Sequence, residues 1–483
     1  MRTLIYVVVL LSLSCTREHS KSGKSTLPNI MIILVDDLGK EWISCYGAED
    51  ISTPNIDQLA KTGVRFDNVY GMPQCTPTRV TILTGQYPFR HGWVNHWDVP
   101  RWGGGAHFDE SMNPSLAIEM KKAGYKTCIA GKWQIDDFRV EPDALTKNGF
   151  DEFCMWTGFE TGNPEPSGNR YHDPYIFTRD GSKVYKGEYG PDIFKDFIIN
   201  FIHANKDDPM FIYYPMVLTH TPFEHTPIDS ATDNLGKHKA MVNYTDLITG
   251  DLVRAFDEAG IQENTIIIWT TDNGTTGQID GTLNGRNIKG GKSKTAEPGV
   301  CLPFIVSWPV SIGSNQTSDA LIDFSDLFPT CLDIAGIEVG REWKTGNTSR
   351  IIDGSSFKDA LLHNQDSHRE WILGMGGGNN ARLTENGVEN QFVFRDRVVR
   401  NKRYKLSIDT NRKAIGFYDL WHDPDEKINL IDSLTTRDRE ENFNQLHNVI
   451  ANFPEKDADP RYSPNPPQPW DVAITAKSQV WKK

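Results

Sequence analysis

A chain of 483 residues is longer than one compact core of ordinary size, so two domains, or one large domain with an appendage, are expected. Its 38% apolar and 24% charged residues suit a soluble folded protein, and a net charge of -13 argues against nucleic acid and against an anionic membrane as partners of the bulk surface. Seven cysteines without a C-x-x-C pair give neither a zinc spacing nor a disulfide framework, with room for one incidental bridge.

Residues 1–15 combine Arg2, an apolar run from Leu4 to Leu11 and Ser12-Leu13-Ser14-Cys15, which reads as a signal peptide too short to span a bilayer. Cys15 after a small residue is similar to a bacterial lipoprotein cleavage site, although Ser12 stands where that pattern prefers an aliphatic residue. Export to the periplasm, or to the outer membrane or cell surface of a Gram-negative bacterium as a lipoprotein anchored at Cys15, is the expectation. A polar linker covers 16–27, and nothing after it is long and apolar enough for a transmembrane span.

Asn29 to Val35 is a continuous apolar run, expected as a strand buried on both faces of a parallel sheet, and it ends in Asp36-Asp37-Leu38-Gly39. Two carboxylates at the carboxyl end of such a strand stand where open α/β sheets hold ligands; as an isolated pair they are also ordinary turn residues. Thr53 to Ala60 reads as a capped helix and Val64 to Tyr70 as a strand leading to Gln74-Cys75-Thr76-Pro77-Thr78-Arg79. A helix is expected there, capped by Thr76, with Pro77 in its first turn and Gly85 closing it in a left-handed conformation. Cys75 then sits at a helix N-terminus, where free N–H groups favour an anion, with Arg79 one turn on. A buried cysteine beside a surface helix is the other reading. From His91 to His107 a loop is expected whose Trp93, His96, Trp97, Arg101 and Trp102 either suit sugar rings or simply pack within the loop; Trp97, Arg101 and Trp102 are candidate substrate contacts.

Further on, Ser115 to Lys122 is helical and Lys126 to Ala130 a strand ending in Gly131-Lys132-Trp133-Gln134. From Val140 to Glu188 regular patterning gives way to Gly, Pro, Asn and aromatic residues, an insertion suited to a specificity wall. Asp192 to Ala204 is a helix, and the strand Met210 to Val217 ends in Thr219-His220-Thr221-Pro222. The helix His238 to Ala259 and the strand Thr265 to Thr270 follow, the latter ending in Asp272-Asn273-Gly274. A loop rich in Gly and Lys, with Lys289, Lys292 and Lys294, spans 285–301; Leu302 to Trp308 returns to the core, and 317–339 reads as a helix. This alternation predicts a large, mostly parallel central sheet flanked by helices. Polar composition near 340–370 divides a domain at 28–365 from a smaller α+β domain at 366–483. The latter carries strands at 392–399, 404–408 and 416–420, a helix at 434–452 and a Pro-rich tail. Its basic run, Arg395, Arg397, Arg400, Lys402, Arg403 and Lys405, reads as a solvated strand face.

Asp36, Asp37, Asp272, Asn273 and His220 all stand just past apolar strands, so one parallel sheet gathers them at one edge. The side-chain oxygens of Asp36, Asp37, Asp272 and Asn273 suit Ca²⁺, with Mg²⁺ as the alternative, rather than a thiolate-binding metal. With Arg79, Lys132 and Lys292 alongside, the edge suits a small tetrahedral oxyanion.

Cys75-Thr76-Pro77-Thr78-Arg79 with Leu83-Thr84-Gly85 resembles the C-x-P-x-R signature of the type I sulfatases, the formylglycine-dependent branch of the alkaline phosphatase superfamily. Gly131-Lys132-Trp133, His220-Thr221-Pro222, Thr271-Asp272-Asn273-Gly274 and Gly290-Gly291-Lys292 with Glu297 resemble further motifs of that family, in its order. So do Tyr404-Lys405-Leu406 and Tyr418-Asp419-Leu420 in the smaller domain. The resemblance implies an alkaline-phosphatase-like fold and a divalent cation held by Asp36, Asp37, Asp272, Asn273 and the modified Cys75. It also implies that a formylglycine-generating enzyme oxidises Cys75 before export. A hydroxyl of the hydrated aldehyde then attacks sulfur, His220 protonates the departing oxygen, and Lys132 and Lys292 hold sulfate and leaving-group oxygens. The family places a histidine where Gln134 stands, and an amide can orient a hydroxyl but cannot take its proton. A sulfated carbohydrate is the expected substrate, whether a marine polysaccharide such as ulvan or carrageenan or a glycosaminoglycan. A phosphonate monoester or phosphodiester hydrolase and a non-catalytic sulfoglycan-binding protein are the alternatives.

Overall fold

The computed structural model describes residues 27–94, 108–138, 140–157, 170–363, 368–376, 381–384, 387–390 and 392–462. The expected signal segment with Cys15, and the loop residues Trp97, Arg101 and Trp102, lie outside the described residues.

The apolar run at the start becomes strand β1 (Asn29–Val35), buried along its whole length. Successive side chains of a strand point to opposite faces, and both faces are covered. Ile30, Ile32 and Leu34 join one apolar layer, Met31, Ile33 and Val35 the other. Around β1 a ten-stranded sheet assembles from β2 (Gly63–Tyr70), β3 (Lys126–Lys132), β4 (Glu152–Trp156), β5 (Tyr175–Thr178), β6 (Gly181–Val184), β7 (Met210–Pro215), β8 (Thr265–Thr271), β9 (Phe304–Ser307) and β10 (Gln316–Asp323). Its order is β10-β2-β9-β8-β1-β7-β3-β4-β5-β6. The central pairs β8/β1, β1/β7, β7/β3 and β3/β4 are parallel, as is β10/β2, while β9 runs antiparallel to both its neighbours. Because β9 reverses the direction twice, β2 again points the same way as β1, and the carboxyl ends of β1, β2, β3, β7 and β8 share one edge.

One face of the sheet is covered by α1 (Pro54–Lys61), α4 (Gly190–Ala204) and α5 (Asn234–Glu258), the other by α2 (Cys75–Thr84), α3 (Leu116–Lys122) and α6 (Leu327–Ile334). A second, antiparallel sheet of β11 (Ile372–Met375), β12 (Arg397–Arg400), β13 (Tyr404–Ile408) and β14 (Ala414–Asp419) follows, with α7 (Arg437–Ala451) burying Leu446 and Ile450 against it. Tyr87 and Phe89, just after α2, share that apolar cluster with Leu373, Leu406 and Phe417.

Several elements differ from the sequence expectation. Residues 317–339 divide into an edge strand, β10, and a short helix, α6, because Asp323 caps the turn between them through the Ser325 N–H. The segment from 140 to 188 is not without regular structure: it supplies β4, β5 and β6, strands of only four or five residues, too short to show a period. Trp93 is no sugar platform, being fully buried against Phe108. The basic run near 400 is not a solvated face either. Arg397, Arg400 and Lys405 are buried because acids meet them: Arg397 bonds Asp457 at 2.7 Å, Arg400 bonds Glu297 at 2.9 Å, and Lys405 lies 2.7 Å from Glu426.

Candidate active site at the carboxyl edge of the sheet

Five strand ends deliver the chemistry to one place. Past β1, Asp36 and Asp37 are fully buried; past β8 come Asp272 and Asn273, equally buried; β3 ends on Lys132; the turn after β7 presents His220; and β2 leads into α2, whose first residue is Cys75. Backbone bonds lock these ends together: Asp36 N–H donates to the Leu218 carbonyl at 2.7 Å, Thr219 N–H to the Asp36 carbonyl at 2.7 Å, and Asp272 N–H to the Val35 carbonyl at 2.9 Å.

Helix α2 is buried on all sides and closes at Gly85 in the left-handed region, φ 66°, as its sequence requires. Its start differs from expectation. Gln74, not Thr76, precedes the first helical residue, and the Thr76 hydroxyl makes no cap. Thr78 does the anchoring, accepting from the Met72 N–H at 3.1 Å and donating to the Asp272 carbonyl at 2.7 Å. That bond ties the cysteine helix to the end of β8.

The Cys75 thiol points at the carboxylates, 3.4 Å from Asp36 Oδ1 and 3.8 Å from Asp37 Oδ1. Ligating atoms of Asp36, Asp37, Cys75 and His220 all lie within 4.8 Å of one another. A cation of the protein faces each acid. Lys132 Nζ donates to Asp36 Oδ2 at 2.6 Å, Lys292 Nζ to Asp37 Oδ2 at 2.6 Å, and Arg79 Nη2 to Asp272 Oδ2 at 2.7 Å. Arg79 Nη1 also donates to the Lys132 carbonyl at 2.6 Å, fixing the guanidinium between β3 and β8. His220 Nε2 lies 3.7 Å from Asp37 Oδ2, and its Nδ1, 2.6 Å from the Thr221 carbonyl, must carry the proton of that bond. Gln134 is buried just beyond β3 in a left-handed backbone, φ 69°.

Burial sets the electrostatics and neighbouring charge modifies it. Burial, then Asp272 and Asp36, push the Cys75 thiol well up, so as a cysteine this residue is a neutral thiol and not a thiolate. Burial opposes ionisation of Asp36 too, but Lys132, His220 and Arg79 outweigh it and hold that carboxyl well below the usual range. Burial and then Lys292 push the His220 imidazole down.

The donor set fits a hard divalent cation. The Asn273 amide donates from Nδ2 to Asp37 Oδ1 at 2.8 Å, while its buried Oδ1 makes no hydrogen bond with any described residue. An orphaned amide oxygen beside three carboxylates is the acceptor-rich surrounding that Ca²⁺ or Mg²⁺ takes up. Sequence reasoning named Asp36, Asp37, Cys75, Arg79, Lys132, Gln134, His220, Asp272, Asn273 and Lys292, and all lie at this edge. Glu297, matched to the lysine loop, turns away from it and bonds Arg400 and Lys405 instead. Missed altogether was Arg170, whose Nη1 approaches Asp36 Oδ2 to 3.9 Å; it follows a stretch without pattern, and no motif flags it.

A family model described as Sulfatase matches residues 28–337. Human N-acetylgalactosamine-6-sulfatase is 30% identical over 365 residues, 71% of this chain and 67% of that relative. N-acetylgalactosamine-6-O-sulfatase of Bacteroides thetaiotaomicron is 28% identical over 495 residues, 87% of this chain and 93% of its own length. Among solved structures, that of Ps i-CgsB in complex with k-i-k-neocarrahexaose superposes with a TM-score of 0.71 at 22% identity, covering 90% of this chain and 94% of the other, which shows a shared fold. From the matched family model and these relatives, the chain belongs to the sulfatases, sulfuric ester hydrolases of the alkaline phosphatase superfamily.

Proposed function

We propose that this protein is an exported sulfatase that cleaves sulfate monoesters on a sulfated carbohydrate, using a formylglycine made from Cys75. The observation that carries the catalytic part is the setting of the Cys75 side chain: buried, 3.4 Å from Asp36 and raised in pKa, it is badly placed to act as a thiolate. Conversion to an aldehyde removes that conflict and supplies a hydrated carbonyl whose hydroxyl can attack sulfur. The carbohydrate part draws on the N-acetylgalactosamine sulfatases among the relatives and the oligosaccharide in the matched structure.

Asp36, Asp37, Asp272 and the Asn273 Oδ1 would hold the divalent cation, Ca²⁺ or Mg²⁺, which when bound would supply positive charge against the negative charge developing on oxygen. Arg79, fixed at both ends, orients the residue-75 side chain and balances Asp272. Lys132 and Lys292, whose ammonium groups donate to Oδ2 of Asp36 and of Asp37, bind sulfate oxygens. His220 presents Nε2 toward Asp37; because Nδ1 carries the ring proton, Nε2 would have to take up a proton before passing one to the departing sugar oxygen. Gln134 orients without exchanging a proton, so the second half-reaction relies on water or another group for its base.

Sulfate release from a panel of sulfated oligosaccharides, by protein co-produced with a formylglycine-generating system, tests this reading. Release identifies the sugar and removes the non-catalytic alternative; no release from any member overturns the proposal. Comparing p-nitrophenyl sulfate with phosphate and phosphonate esters separates it from a phosphonate monoester or phosphodiester hydrolase. Peptide mass analysis should find residue 75 lighter by the thiol-to-aldehyde change, and an intact thiol in active protein would refute the nucleophile.

A further inference from the structure

We infer that Arg170 is a substrate-binding residue of this site, a fourth protein cation whose guanidinium contacts the ester sulfate; the inference rests on the sulfatase reading above. The Arg170 side chain is only 9% exposed, and its Nε and Nη1 make no hydrogen bond with any described residue. Buried guanidinium groups are ordinarily paired, because unmet donors are costly away from water. Here Nη1 points toward Asp36 Oδ2 from 3.9 Å, too far for a hydrogen bond, and that oxygen already accepts from Lys132 at 2.6 Å. Arg79 Nη2 approaches the same oxygen to 3.8 Å. Three cations thus converge on one carboxylate oxygen, which leaves Arg170 with donors to spare beside the strand-edge site.

The side chain is held in place. Its guanidinium lies 4.0 Å from the ring centre of Trp156, the last residue of β4. The adjoining Tyr171 donates its hydroxyl to the carbonyls of Val217, at 2.9 Å, and His220, which fixes residue 170 against the histidine turn. Gly190 N–H donates to the Tyr171 carbonyl at 2.6 Å, and a Cβ on Gly190 would stand 2.2 Å from the Arg170 carbonyl, so only glycine lets α4 approach this closely. A planar fork held this way matches two oxygens of a tetrahedral anion, a geometry that lysine does not reproduce.

The test uses protein co-produced with a formylglycine-generating system and inorganic sulfate as probe, by calorimetry, alongside kinetics on the oligosaccharide that the wild type cleaves. Arg170→Ala should weaken sulfate binding about 10- to 100-fold and lower kcat/KM by a similar factor. Arg170→Lys should recover part of the affinity, and the melting temperature should stay close to wild type. Should Arg170→Ala fail to fold, Arg170→Gln, which keeps the stem and loses the charge, decides the matter. Unchanged sulfate affinity in a folded variant overturns the inference. Wild-type protein that binds sulfate through Arg170 yet cleaves no ester would support this anion site and refute the enzymatic reading, so the two fail separately.

Discussion

Two buried ionic clusters in this molecule are built from the same chemistry and come out differently. Where the second sheet meets the first, Glu297 takes Arg400 at 2.9 Å and Lys405 at 3.1 Å, and Tyr70 donates to the same carboxylate. Lys405 also holds Glu426 at 2.7 Å and the Thr295 carbonyl at 2.8 Å. Two acids there face two bases, and none of the buried side-chain polar atoms of these residues lacks a partner. At the strand edge, Asp36, Asp37 and Asp272 face Arg79, Lys132, Lys292 and Arg170, and orphans of both kinds remain: an acceptor, Asn273 Oδ1, and donors on Arg79 and Arg170. A buried cluster that satisfies itself contributes to holding the fold. One that leaves acceptors and donors unmet has places for a cation and an anion from outside.

That contrast can be broken experimentally, and the largest effect belongs to the open cluster. Cys75→Ala should abolish sulfate release while the melting temperature stays within a few degrees of wild type; retained turnover would return Cys75 to a packing role. Asn273→Ala should weaken the divalent cation's apparent affinity by about 10- to 100-fold, read as the concentration restoring activity after chelation. An unchanged requirement would remove the amide oxygen from the ligand set. The closed cluster should behave in the opposite way. Glu297→Gln leaves Arg400 and Lys405 short of one charge and should cost about 3–5 kcal/mol of stability by denaturant titration. Sulfate affinity should not change in that variant, and a fall in affinity at unaltered stability would mean that Glu297 belongs to the site.

The sequence was most legible where one physical cause acts alone. Continuous apolar runs gave β1, β7 and β8, and each acid, amide or histidine just past such a run came to the shared edge as a parallel sheet demands. Legibility failed where a residue's meaning depends on a distant partner. Arg397, Arg400 and Lys405 looked solvated because Asp457, Glu297 and Glu426 are far away in the chain. Arg170 was invisible for the same reason: Trp156, Tyr171 and Gly190 position it, and none of them forms a spaced motif with it. The helix-cap expectation at Thr76 was defeated by tertiary context, since full burial of α2 gives the anchoring to Thr78 and the Asp272 carbonyl.

The smallest effect expected is a pH dependence confined to the closed cluster. Burial by itself would raise the Glu297 carboxyl, but Lys405 and Arg400, with the Tyr70 hydroxyl, outweigh it and hold it at about 2 against an ordinary 4.5. A carboxyl depressed on folding contributes stability that is fully present above about 4.5 and is lost as pH falls toward about 2. The stability difference between wild type and Glu297→Gln should therefore be greatest near neutrality and shrink step by step through pH 4 and 3. Denaturant titrations at each pH, with Cys75→Ala as the control whose difference from wild type stays near zero, measure it. A gap that does not narrow would mean that Glu297 acts through its shape and hydrogen bonds rather than its charge, and the closed cluster would then owe its stability to packing at the sheet junction instead of to ion pairing.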